Sequence, residues 1–203
     1  MAAWIWIFII LAGGLFSLKI IYALSIALVL PITQGALYVS TSRAKIAAFI
    51  NAVPMKADQM LVDLGCGDGR VLREAHKRYG VRTVGYEINP LAYLKARLFS
   101  IGLNKIKIRR QNFWKADISE ADVVFCYLYP DVMKRMAAKL FAGLKPGAIV
   151  VSSNFALPGC VPSRILRLES SRHNDPMYIY QLNYAFQKPL SANCGVREKR
   201  SLI

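Results

Sequence analysis

The stretch Asp63-Leu64-Gly65-Cys66-Gly67-Asp68-Gly69-Arg70 decides how the rest of the chain is read. It follows Met60–Leu64, a short apolar run with the character of a strand. It leads into Arg70–Tyr79, which reads as a helix closed by Gly80. Alternating glycines let the backbone turn tightly and approach a ligand closely, and the helix N-terminus that follows favours polar or anionic groups. The spacing is G-x-G-x-G, not the G-x-G-x-x-G of dinucleotide enzymes. No Lys-Ser/Thr pair follows, as a phosphate-binding P-loop requires.

Further along the chain, strand and helix signals alternate. Thr83–Tyr86 is a strand, Pro90–Ser100 a helix, Ile106–Arg110 a strand and Val123–Leu128 an apolar run suited to a central parallel strand. Asp131–Leu144 is a helix, and Ala148–Ser152 a strand after the Pro146-Gly147 turn. Such alternation predicts a parallel sheet with helices on both faces. Arg164–Glu169 and Met177–Phe186 are strand-like with no helix between them, so an antiparallel pair is expected there. The predicted fold is therefore α/β, a Rossmann-like sheet that is mostly parallel with an antiparallel C-terminal strand pair.

In such sheets ligands bind at the carboxyl ends of the strands. The second strand ends at Glu87-Ile88, where a carboxylate can accept hydrogen bonds from both hydroxyls of a ribose. The third is followed by Asn112-Phe113: the amide can bond an adenine edge, and Phe113 can pack on its face beside Ile88. Each residue also has a plainer reading, Glu87 as a solvated helix-start carboxylate and Phe113 as core. It is the sequence of glycine cradle, ribose acceptor and adenine contact at three successive strand ends that favours a nucleoside site.

The N-terminus is of different character. Ala2 to Leu30 is apolar apart from Lys19, longer than the roughly 20 residues needed to cross a bilayer as helix. A transmembrane helix is predicted, either as one tilted span or as a hairpin turning near Gly13-Gly14 or Ser17-Leu18-Lys19. Trp4 and Trp6 suit a membrane interface, and the stretch lacks the basic n-region of a cleaved signal. Arg43 and Lys45 follow the span, which by the positive-inside rule predicts a domain on the cytoplasmic or an equivalent reducing side. The expected organisation is an anchor over 1–34, a connector and amphipathic helix over 35–59, the α/β domain over 60–188 and a basic tail over 189–203.

Of the net charge of +15, only Lys19 precedes Arg43, so the domain itself is strongly basic. That suits anionic lipid, nucleic acid or acidic protein surfaces, or serves solubility alone. Four scattered cysteines with no C-x-x-C pair, and two histidines, argue against a metal site.

The motifs Asp63–Gly69, Glu87 and Asn112-Phe113 resemble those of class I S-adenosylmethionine-dependent methyltransferases. More narrowly, the anchor, Tyr38-Val39-Ser40-Thr41, Gly85–Pro90 and Asn112–Lys115 resemble the small membrane-anchored protein-lysine methyltransferases of the ATP synthase c-subunit and ADP/ATP carrier type and their prokaryotic relatives. The similarity runs from about Gly35 to Tyr180. Two departures stand out: Asn112 replaces the acid common in the adenine segment, and no prolines follow Tyr38.

The resemblance implies S-adenosylmethionine as cofactor, held by Asp63, Gly65, Cys66, Gly67, Asp68, Gly69, Glu87, Ile88, Asn112 and Phe113. It further implies a lysine acceptor on a membrane-associated protein, met by Tyr127 and Tyr129 after the fourth strand, with Tyr38 and Thr41 closing over the site. Asp63 is expected to order the loop and the methionine amino group. Three other readings remain open: a methyltransferase acting on a lipid, quinone or other small molecule, a nucleic-acid methyltransferase, and a non-enzymatic cofactor-binding membrane module. Against nucleic acid, Tyr127-Leu128-Tyr129-Pro130 is not an N/D-P-P-Y/F motif.

Overall fold

The computed structural model describes residues 2–33, 40–167 and 175–182. Tyr38, most of the connector and the basic tail lie outside the described residues. The first helix, α1 (Ala2–Thr33), runs unbroken through Gly13-Gly14, where Ser17 Oγ donates to the Gly13 carbonyl at 2.9 Å. The hairpin alternative is thereby corrected to a single helix. Residues 3–24 of it are exposed, Trp4 at 78% and Ile10 at 70%.

Helix α2 (Arg43–Ala52) starts at Ser42, whose side chain accepts from the Lys45 amide at 3.3 Å. Its apolar face, Ile46, Phe49 and Ile50, is buried against the sheet domain, with the Phe49 ring 5.0 Å from that of Phe125.

The domain alternates as the sequence predicts: β1 (Met60–Leu64), α3 (Arg70–Tyr79), β2 (Arg82–Glu87), α4 (Pro90–Phe99), β3 (Ile106–Arg110), β4 (Val123–Cys126), α5 (Pro130–Gly143), β5 (Ile149–Ser153), β6 (Arg164–Leu166) and β7 (Met177–Gln181). These form one seven-stranded sheet of order β3-β2-β1-β4-β5-β7-β6, parallel except that β7 runs antiparallel to both neighbours. The expected C-terminal pair thus forms, and β7 inserts between β5 and β6. On one face of the sheet Val132, Met133, Met136 and Leu140 of α5 pack on Val62, Val124 and Val150. On the other, α2 and α3 cover Leu61, Phe125 and Val151. The central strands β1, β4 and β5 are covered on both faces and are buried almost throughout, whereas the edge strands β3 and β6 expose most of their residues.

Strand order reverses between β1 and β4. That switch point opens a crevice at the carboxyl ends of the two strands, between the β1–α3 loop and the segment after β4.

Candidate cofactor and acceptor site

Gly65 and Gly67 in the β1–α3 loop adopt φ of 87° and 57°, left-handed conformations that residues with a Cβ take only with strain. The loop is pinned to β2 by two bonds from the Gly65 and Cys66 amides to the Tyr86 carbonyl, at 2.9 and 3.0 Å. Gly85 makes this approach possible. A Cβ there would stand 2.5 Å from Leu72 Cδ1 and 2.6 Å from Cys66 Sγ. This glycine carries as much of the loop geometry as those in the motif.

Glu87, 7% exposed at the end of β2, accepts from the Gly67 amide at 2.9 Å through Oε2 and from the Asn89 amide at 2.8 Å through Oε1. The carboxylate still keeps acceptor capacity for a ligand hydroxyl. Burial raises the Glu87 pKa, and the amides of Asn89, Gly67 and Ile88 only partly offset it. Asp63, 3% exposed at the end of β1, is pushed well above the usual carboxylate range by burial, then by the charges of Glu87 and Asp68. A cation brought to this corner would relieve it.

Asp68 behaves differently. Burial pushes its pKa up, but Arg70 more than reverses this, with Nε 2.9 Å from Oδ1 and Nη2 2.7 Å from Oδ2. Arg70 Nη1 also donates to the Thr41 carbonyl at 3.2 Å, tying the entry to α2 to the loop. Asp68 is therefore engaged within the loop itself.

Asn112 caps the short 3-10 turn Phe113–Lys115, its Oδ1 accepting from the Trp114 amide at 3.0 Å. Phe113 is buried in the core with its ring 5.1 Å from that of Trp114, and Ile88 is half-buried at the neighbouring strand end.

A narrow cleft is bounded by Thr41, Asp63, Gly65, Gly67, Phe125 and Tyr127. The structure thus brings Thr41 and Tyr127 to the glycine loop. Tyr129 is set apart, its ring stacked 6.4 Å from that of Phe155. Behind Tyr127 lies a polar cluster that the sequence reading missed. Lys45, on α2, is 4% exposed; its Nζ bonds to Asn154 Oδ1, pairs with Asp175 Oδ2 at 2.8 Å, and lies 5.0 Å from the centroid of the Tyr127 ring. Asn154 Nδ2 in turn donates to the Tyr127 hydroxyl at 2.8 Å. The available signal was a lysine one turn before Phe49 on an otherwise apolar helix face. Burial raises the Tyr127 pKa, followed by the charge of Asp175 and by Tyr129, so the phenol stays neutral at physiological pH. His76, on α3, is half-buried, with Nδ1 3.0 Å from the Val81 carbonyl.

Residues 63–164 match the model of the ANTKMT methyltransferase domain. The chain belongs to this family. Its relatives include a protein-lysine N-methyltransferase of Saccharolobus islandicus, 34% identical over 70% of this chain and 91% of that protein. Another is the adenine nucleotide translocase lysine N-methyltransferase of Mus musculus, 31% identical over 82% of this chain and 71% of that protein. A solved RNA methyltransferase of Salinibacter ruber, in complex with S-adenosyl-L-homocysteine, is similar in structure. It has a TM-score of 0.68 and 33% identity, covering 72% of this chain and 95% of that one.

This ANTKMT-family enzyme is a methyltransferase that uses S-adenosylmethionine. Its residues fit that cofactor: a loop without side chains at Gly65 and Gly67, an acid with remaining acceptor capacity at the end of β2, and a buried carboxylate, Asp63, whose charge burial and the neighbouring acids disfavour. The cofactor supplies a methyl group on a sulfonium, an electrophile that leaves the protein mainly to position the nucleophile.

Proposed function

We propose that the enzyme methylates a lysine amine of a protein held in or beside a membrane, with its domain on the cytoplasmic or an equivalent reducing side. The observation that carries this reading is Tyr127. It borders the cleft above the glycine loop, and its ring already holds the ammonium of Lys45, 5.0 Å from the centroid. A ring face and a neutral hydroxyl are suited to guiding an amine. A desolvated corner lowers the pKa of an incoming lysine, freeing the lone pair that must attack.

In this reading the Gly65, Cys66 and Gly67 backbone cradles the cofactor. Glu87 accepts from the ribose hydroxyls, and Asp63 answers the methionine ammonium. Asn112, Phe113 and Ile88 border the adenine, and Thr41 closes the front. Asp68 and Gly69 shape the loop without touching the acceptor. Tyr127 lines the acceptor channel, while Tyr129 packs on Phe155. The helix α1 crosses the bilayer, as its length and apolar composition allow. Substrates named for relatives, the adenine nucleotide translocase and the ATP synthase c-subunit, support an acceptor of this class.

Incubation of native membranes with methyl-labelled cofactor and the purified enzyme tests the proposal. Labelled lysines in a membrane protein are expected by mass spectrometry. Label confined to extracted lipid, or to RNA as the name of the Salinibacter relative suggests, would overturn it.

A further inference from the structure

Helix α4 is built the wrong way round for a helix that only covers a sheet. Its buried positions are small, Ala92 and Ala96, while its bulky residues point outward: Leu94 is 51% exposed, Leu98 55% and Phe99 56%. Ile101, just past the helix, is 76% exposed. Leu91, Leu94, Leu98 and Ile101 recur at helical spacing, so they form one stripe.

The stripe has a cationic border. Lys95 Nζ and the Arg73 guanidinium lie 5.8 and 5.3 Å from the Phe99 ring centroid, and Arg97 lies 6.0 Å from that of Tyr93. Between Glu87 and Asp117 the chain has seven lysines and arginines and no acid. An apolar stripe edged by cations matches an anionic lipid surface in both respects.

The stripe is also continuous with α1. Leu18, Lys19 and Tyr22 of α1 face Leu91, Ala92 and Lys95 of α4 across a shared crevice that reaches Asp68 of the cofactor loop. A charged domain cannot enter the hydrocarbon, so this contact fixes where the bilayer must end. The apolar window Ala3–Leu24 has 22 residues, and Leu18–Tyr22 lies within about 10 Å of its end at a helical rise of ~1.5 Å per residue. Lys19 and Tyr22, residue types that favour the water boundary, sit at that level.

We infer that the Leu94-Leu98-Phe99-Ile101 face of α4 is a second membrane contact, lying in the headgroup layer of an anionic leaflet beside the point where α1 leaves the bilayer. It rests on the proposed membrane placement of α1. It adds to the anchor a fixed orientation, with the β1–α3 loop held at the lipid surface. Basic residues at such a surface each strengthen binding about fivefold, so the contact deepens with anionic lipid.

The full chain, with Cys160→Ser and Cys194→Ser, is reconstituted without cofactor or substrate into vesicles of phosphatidylglycerol and phosphatidylcholine. A nitroxide is placed at Leu98→Cys or, separately, at Phe8→Cys on α1. Collision with oxygen reports lipid, and collision with an aqueous nickel chelate reports water. The expected result is that both labels favour oxygen, and that the oxygen preference at position 98 falls severalfold in phosphatidylcholine alone. A label at 98 open to nickel while that at 8 is in lipid would overturn the α4 contact and leave the anchor standing. Both labels in water would overturn both. Equal depth in the two lipids would overturn the anionic character of the surface. Spin–spin broadening at 98 that grows with protein concentration would assign the stripe to a second copy of the chain and overturn the lipid assignment.

Discussion

The Glu87 carboxylate accepts a 2.9 Å hydrogen bond from the amide of Gly67, so the acid at the end of β2 and the glycine loop after β1 form one unit. The acid shapes the loop as well as, in the proposed function, presenting an acceptor to the ribose. Glu87→Ala removes charge-assisted bonds to the ligand and leaves the loop amide without its partner. Calorimetry should show S-adenosylmethionine binding weakened by about 10- to 100-fold. Wild-type affinity in this variant would refute the assignment of the site.

Asp63 and Glu87 set a pH dependence. Both are held above their ordinary values chiefly by burial. Below the ordinary carboxylate range they are protonated in folded and unfolded chains alike. As pH rises past the ordinary value, the unfolded chain loses these protons first. The folded chain keeps them until its own raised value is passed, so stability falls through that window. Urea unfolding of the cofactor-free enzyme should therefore show stability declining from acid toward neutral pH, with Asp63→Asn reducing the slope. Cofactor binding at a pH within the window should release protons, measurable by calorimetry in buffers of different ionisation enthalpy. Proton uptake would contradict the pairing of Asp63 with a cation.

Gly85→Ala tests the close approach of β2 to the loop. The added methyl would meet Leu72 and Cys66 at 2.5 and 2.6 Å, a degree of overpacking that costs about 1–3 kcal/mol. Both the unfolding midpoint and cofactor affinity should drop, because the displaced atoms belong to the cradle. A loss of stability with full affinity would show that the loop is set independently of β2.

Lys45 joins four parts of the chain: α2, the Tyr127 segment, the turn after β5 and Asp175, two residues before β7. Lys45→Met leaves Asp175 without this partner, but that carboxylate is 29% exposed and water recovers part of the loss, so about 1–3 kcal/mol is expected. A double-mutant cycle with Asp175→Asn measures the coupling. A coupling near zero would mean that the pair contributes nothing to holding the corner.

Tyr127→Ala should lower kcat by about 10-fold or more, while Tyr127→Phe retains the ring face and loses less. Cofactor affinity should be unchanged in both. Equal turnover in the alanine variant would remove Tyr127 from the acceptor channel.

The central sheet was legible from sequence because each strand–helix unit is locally marked. Gly80 ends α3 after an amphipathic run, Asn89-Pro90 opens α4, and the motif itself joins β1 to α3. The residues proposed for the cofactor side could be named for the same reason: they are contiguous and follow strand ends. The Lys45–Asp175 pair could not, since its partners are 130 positions apart and meet only once β7 has been inserted beside β5. Gly85 was equally hidden. Nothing about a glycine within a strand announces which side chain from another element will press against it. Tyr127 and Tyr129 are alike in sequence, and only the start of α5 separates one toward the cavity and the other toward Phe155.

The placement of β7 between β5 and β6 has a consequence for biosynthesis. The strands bearing the glycine loop and Glu87 emerge early from the ribosome and can pair with one another at once. Asp175, and with it the seat that fixes Lys45 behind Tyr127, arrives only with the last strand described, which must slot into a sheet already begun. The nascent polypeptide thus completes the glycine loop and its Glu87 partner well before the corner that seats Lys45 behind Tyr127.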